Sequence, residues 1–123
     1  MKITPPFSRE DMVFHPMVEQ VADYIDRHIS QEISVEELAN HVHMSKYHFL
    51  RKFKEQTGVT AHNFVLNKRL IRASEELLRG KSLTEAWQDA GFTDYSTFLR
   101  NFKRAFGVSP GRYREQTPQS LFV

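Results

Sequence analysis

The sequence predicts an all-α protein, with seven helices forming two helix-turn-helix subdomains joined by a long linker helix. Three observations predict it: apolar residues at helical spacing, helix-capping signals at regular intervals, and one stretch written twice. SVEELANHVHMSKYHFLRKFKEQTGVTAHNF, from Ser34, aligns with SLTEAWQDAGFTDYSTFLRNFKRAFGVSPGRY, from Ser82. The copies share the hexamers FLRKFK at 49–54 and FLRNFK at 98–103. The second copy gains one residue just before its hexamer.

Taken in order, residues 1–15 read as a flexible N-terminal arm and 117–123 as a C-terminal tail, because chain ends fray unless docked. Pro16 suits the first turn of a leading helix whose apolar face is Val18, Val21, Ala22, Ile25 and Ile29. The first helix-turn-helix subdomain is expected over 16–59. In each copy a capping box (Ser34 with Glu37, Ser82 with Glu85) starts a short helix, about 35–42 and 83–90. A turn follows at His43-Met44 or Gly91-Phe92. Ser45, or Thr93/Asp94, then caps a second helix that stops at Gly58 or Gly107. Thr60 caps the linker helix, expected over 61–79 within a 60–80 segment, with Gly80 as its stop. Leu66, Leu70, Ala73, Leu77 and Leu78 form its stripe. The second subdomain spans 81–116 and closes with a short helix from Ser109-Pro110.

The charge is unevenly spread. Residues 1–40 hold three basic groups against eight acidic ones, whereas 41–72 hold seven basic groups against Glu55 alone. From Tyr95 to Arg114 there are five Arg/Lys and no carboxylate. Such asymmetry suits either a solvated surface or a face that binds a polyanion. The chain has no cysteine, which fits a reducing compartment. No apolar run is long enough for a signal peptide or a membrane span, so the cytoplasm is the expected location.

On the helix expected at 46–57, Phe49, Phe53 and Gln56 share one side, while Tyr47, Leu50, Arg51 and Lys54 share another. In the second copy Phe98, Phe102 and Phe106, with Ala105, face inward. Ser96, Leu99, Arg100 and Lys103 face outward. The phenylalanines therefore anchor each helix, and each Arg and Lys is presented to the outside. A helix fits the major groove of B-DNA, where arginine pairs bidentately with guanine, Ser and Thr hydrogen-bond base edges, and apolar groups touch the thymine methyl. Arg51 and Arg100 are the candidate base readers, and Lys54 and Lys103 the candidate phosphate contacts. Leu50 and Leu99 suit either a base or a neighbouring helix. The linker, about 28 Å long, compares with about 34 Å between successive major grooves. One monomer is then expected to seat both helices in adjacent grooves of an asymmetric site.

The motifs LANHVHMSKYHFLRKFKEQTG, RLIRASEELL from Arg69, and AGFTDYSTFLRNFKRAFGVSPGRYR resemble the AraC/XylS transcription regulators. The resemblance covers roughly residues 17–116, and the arrangement also looks like the small stand-alone activators of the MarA type. It implies a seven-helix DNA-binding domain, with Lys46, Tyr47, Leu50, Arg51, Tyr95, Ser96, Thr97 and Arg100 facing the groove. It implies backbone contacts for Lys54, Lys68 and Lys103, and an internal structural role for Arg69. Activation is the commoner family behaviour, which would make RNA polymerase a partner. Trp87 departs from the alanine usual in the family, Leu50 and Leu99 stand at positions often polar, and Lys46 replaces a common proline. Family members usually carry a further sensing or dimerisation domain. A small complete regulator and an excised domain both remain expectations.

Other chemistries find little support in the residues. His41, His43, His48 and His62 lack zinc-site pairing, so no metal and no cofactor is expected. No phosphate loop, nucleophile elbow or carboxylate pair points to an enzyme. The rival reading is a helical protein-interaction module whose basic faces bind an acidic partner.

Overall fold

The computed structural model describes residues 15–116. The expected tail at 117–123, and all of the expected arm except His15, lie outside the described residues. Within them the chain forms seven helices and no strand: α1 (Pro16–Arg27), α2 (Val35–His41), α3 (Lys46–Thr57), α4 (Ala61–Leu78), α5 (Leu83–Asp89), α6 (Tyr95–Phe106) and α7 (Pro110–Gln116). Contacts divide the chain into two compact units, and the division falls inside α4 between Lys68 and Arg69.

The helix starts follow the capping chemistry. The Ser34 hydroxyl accepts from the Glu37 amide at 3.1 Å, while Glu37 accepts from the Ser34 amide at 3.2 Å. Ser82 and Glu85 repeat both bonds at 3.1 and 3.2 Å. Orphan amides at both short helices are thus satisfied by side chains. Thr60 accepts from the Asn63 amide at the head of α4, and Ser109 accepts from the Arg112 amide at the head of α7. At the other ends of α3 and α6, Gly58 and Gly107 adopt φ 81°, a left-handed cap that only glycine takes without steric strain. The short helices end one residue earlier than expected, with Val42 and Ala90 as C-caps.

The first unit is built on α1, α2, α3 and the start of α4. Val18, Val21, Ala22 and Ile25 bury one face of α1. Ile29, just past its end, reaches the same core with Leu38, Ala39, Phe49, Phe53, Ala61 and Phe64. The ring of Phe53 lies 5.6 Å from that of Phe49 and meets Phe64 edge-on at 5.1 Å. Across the α1–α2 contact the Tyr24 hydroxyl donates to Glu37 at 2.9 Å. That bond, with the Ser34 amide, holds the Glu37 carboxyl below the usual carboxylate range.

In the second unit Leu70, Ala73, Leu77 and Leu78 of α4 are buried, as are Ala86, Ala90, Phe92, Phe98, Phe102 and Phe106. The rings of Phe92, Phe98, Phe102 and Phe106 follow one another at 5.2, 5.4 and 4.4 Å. Tyr113 of α7 closes the stack, 5.4 Å from Phe102 and 4.8 Å from Phe106. The Arg114 guanidinium donates to the Lys81 carbonyl. Trp87, the family departure, is half-buried.

The expected single stripe on α4 needs correction. Ala61 and Phe64 belong to the first core, Leu70 onward to the second, and Leu66 between them is only half-buried. A helix that serves two cores has no reason to keep one apolar line along its length. The inserted residue of the second copy sits in the turn: residues 42–45 separate α2 from α3, and 90–94 separate α5 from α6. Both second helices keep twelve residues.

Removing the Phe53 ring should cost the first unit about 3–5 kcal/mol. Removing the cap hydroxyl with Ser34→Ala should cost about 1 kcal/mol. Urea denaturation followed by helix circular dichroism, with each variant against the parent chain, measures both.

Candidate nucleic-acid interface

The two helices that carry the hexamers have opposed faces. Phe49 and Phe53 are fully buried on α3, and Phe98 and Phe102 on α6. Residues four apart lie on one side of a helix, so burying such a pair turns the residue midway between them outward. Arg51 and Arg100 are exposed, as are Lys54 and Lys103. None of the four makes an ion pair among the described residues. No carboxylate stands in the first turn of either helix.

On α3, Tyr47, Leu50, Arg51 and Lys54, with Glu55 and Thr60, line an open, mostly apolar groove of about 550 Å³. Tyr47 is 83% exposed, so its ring is available to an incoming surface. Leu50 is half-buried and packs in part against the first core, which makes it both a packing and a surface residue. On α6, Tyr95 is 41% exposed and its ring leans toward Phe98 at 6.3 Å. Ser96 is exposed, while Leu99 and Thr97 are half-buried.

Two of the expected contact lysines are already engaged. Lys46 Nζ lies 3.3 Å from Glu36, and Lys68 Nζ lies 3.0 Å from Asp26. The Lys68 side chain is only 21% exposed and sits 5.9 Å over the Phe64 ring. Sequence reasoning missed both carboxylates. Glu36 is ten residues from Lys46 and Asp26 forty-two from Lys68, and neither separation has a periodic signature. Arg69, expected to act inside the domain, is half-buried.

The N-caps of the two helices differ in charge. Ser45 accepts from the His48 amide at 3.3 Å. Asp94 accepts from the Thr97 amide at 2.8 Å and from the Thr97 hydroxyl at 3.0 Å. The hydroxyl proton of Thr97 is thereby committed, and toward a base edge that oxygen is left to accept. The backbone bond, then the hydroxyl bond, hold the Asp94 carboxyl below its usual range, and Arg100 adds to the effect. Glu36 is likewise lowered, first by a backbone amide and then by Lys46.

The arrangement offers two basic, exposed helical faces, each with a planar guanidinium near its middle. Among the described residues no cluster of His, Asp or Glu could hold a metal. No helix among them is long and apolar enough to cross a membrane.

Residues 38–116, well over half of the chain, match the family described as a helix-turn-helix domain. A solved structure from Chromobacterium violaceum, a transcriptional regulator of the AraC-type DNA-binding domain class, shares the fold. Its TM-score is 0.79 at 24% identity, over 85% of this chain and 95% of that one. The chain belongs to the AraC/XylS family. LumQ of Photobacterium leiognathi, a probable transcriptional regulator, is 38% identical over 76% of this AraC-type chain and 38% of its own length. The DNA-binding domain of AdpA, a global transcriptional factor solved with a target DNA, superposes with a TM-score of 0.72. It is 29% identical and matches 81% of this chain and 90% of that domain. The chain spans between 15% and 38% of the length of the first three curated relatives that it matches. Family and fold are those of DNA-binding transcription regulators, not of enzymes.

Because folding lowers the Asp94 pKa, the α6 cap contributes fully above the ordinary carboxylate range and is lost as pH falls through the depressed folded value. By carboxyl NMR, Asp94 should titrate below the value of an ordinary aspartate. In Thr97→Val, which keeps the amide and deletes the hydroxyl, the midpoint should move back up toward that value.

Proposed function

We propose that the chain binds double-stranded DNA as a monomer and reads an asymmetric site, with α3 and α6 in successive major grooves, and that it activates transcription. The observation that carries this reading is the matched presentation of Arg51 and Arg100. Each is exposed two residues after one buried phenylalanine and two before the next, on helices of equal length.

In this reading Arg51 and Arg100 pair with guanine in the bidentate manner that the guanidinium geometry favours. Tyr47, Tyr95 and Ser96 touch base edges beside them, and Thr97 accepts from an exocyclic amine. Leu50 offers its outer methyls to a thymine while leaning on the core. Lys46 joins this group once it leaves Glu36. Lys54 and Lys103 meet phosphate, and Lys68 does so by exchanging Asp26 for a phosphate oxygen. Asymmetry of the site follows from unlike faces: Tyr47 and Leu50 on one helix, Ser96 and Leu99 on the other. The eighteen residues of α4 make about 27 Å of rod, near the groove repeat of about 34 Å. The subdomain boundaries belong to the same proposal, with 16–59 and 81–116 each carrying one reader and 60–80 joining them. Activation rests on family behaviour, with RNA polymerase as the partner. Transcription in vitro from a bound promoter, with and without the chain, tests it.

Gel-shift titrations against a duplex selected from random DNA and a shuffled competitor test the readers. Arg51→Ala or Arg100→Ala should each cost about 1–3 kcal/mol on the selected duplex and relax preference at one base position. Lys103→Ala should weaken all duplexes alike and flatten the salt dependence by about one contact. Arginine variants that discriminate as well as the parent would remove these base assignments. A footprint confined to one groove segment would remove the two-groove reading. Binding to an acidic protein with no salt-dependent duplex binding would favour the interaction-module alternative.

A further inference from the structure

The two engaged lysines stand apart from the other basic groups of the proposed DNA face. Arg51, Lys54, Arg100 and Lys103 make no ion pair among the described residues. Lys46 and Lys68 each have a carboxylate within 3.3 Å. Asp26 comes from α1 and Glu36 from α2, and both side chains keep more than half of their exposure, at 55% and 62%. Neither belongs to the core, and the Glu36 carboxylate also meets a backbone amide of its own helix. The second copy has no such arrangement at the corresponding place: Thr84 aligns with Glu36, and Tyr95 opens α6 where Lys46 opens α3.

We propose that Asp26 and Glu36 are internal substitutes for phosphate, which hold Lys68 and Lys46 until a duplex displaces them and so lower the affinity of the chain for DNA. The inference rests on the DNA reading given above. Sequence-independent affinity for DNA comes from cations that neutralise phosphates and release counterions. A lysine already neutralised by its own chain releases little when it meets a phosphate. On the correct duplex, base contacts fix the helix in the groove and bring phosphate oxygens within reach of the same ammonium groups. Breaking a pair costs the same whichever duplex takes the lysine, so the two carboxylates lower the affinity for correct and shuffled duplexes alike. Exposed pairs of this kind are weak enough to exchange readily.

The test uses Asp26→Asn and Glu36→Gln in the full chain, which remove charge while keeping shape. Fluorescence anisotropy is read with a duplex selected from random-sequence DNA and with its shuffled counterpart, from about 50 to 200 mM salt. Each variant should bind the shuffled duplex about two- to eight-fold more tightly and steepen its salt slope by up to about 0.9. The selected duplex should gain by about the same factor, so the ratio between the two holds. Adding Lys68→Gln to Asp26→Asn, or Lys46→Gln to Glu36→Gln, should return each value to that of the parent. Thermal melting reports whether each variant folds, and the more exposed Glu36 pair carries the test if Asp26→Asn unfolds. An unchanged slope and affinity in the folded variants, or a gain that persists without the lysine, would overturn the inference. In that case the parent chain still binds the selected duplex. A parent with no salt-dependent binding to any duplex would instead remove the DNA reading beneath it.

Discussion

Burial of a phenylalanine pair on each of α3 and α6 is the constraint from which their basic faces follow. Phe49 with Phe53, and Phe98 with Phe102, have no exposed surface at all. Two rings on one side of a helix, sunk in a close-packed core, leave it no freedom to roll about its axis. The arginine midway between them then has one direction available, which is outward. The basic face is thus a by-product of how the helix is anchored. Loss of packing behind it would blur its aim before it removed a single charge.

Local hydrogen bonding sets where these helices begin, and it treats the two halves differently. A neutral hydroxyl heads α3 and a carboxylate heads α6. Both solutions satisfy amides that would otherwise lack partners. Their fields differ, since the N-terminus of a helix carries partial positive charge. At α3 that charge is left uncompensated by the cap, whereas at α6 Asp94 neutralises it. The turn ahead of α3 carries a further irregularity: His43 adopts φ 59° where Gly91, its counterpart, adopts φ 93°. A side chain in the left-handed region is uncommon outside glycine, so the first turn holds a backbone state that the second reaches freely.

Most of the fold was legible because its signals are local. Capping boxes, glycine stops and apolar spacing act within four residues, and the helices with predicted bounds end within one residue of those found, while Ile29, expected on the leading helix, lies just past its end. The outward arginines were legible for the same reason, since a helix of known period with two buried rings determines its opposite face. The engagement of Lys46 and Lys68 was not legible. It depends on the packing of α1 and α2 against later helices, and nothing in the spacing of Asp26 or Glu36 announces it. Leu66 misled because one stripe was expected along a helix that serves two cores. Leu50 was open to two readings in the sequence, and in the structure it takes part in both packing and the groove wall.

The position of the inserted residue in the second copy carries a consequence of its own. Each residue of an α-helix advances the chain by about 100° of rotation. An insertion inside α6, between its anchoring rings and Arg100, would have swung the guanidinium from water toward the core. Placed among residues 90–94, the same insertion changes only the length of a connection, and α6 begins again with its phase reset by Asp94. A repeated module can therefore drift in length at its bend while the azimuth of its basic face stays constant.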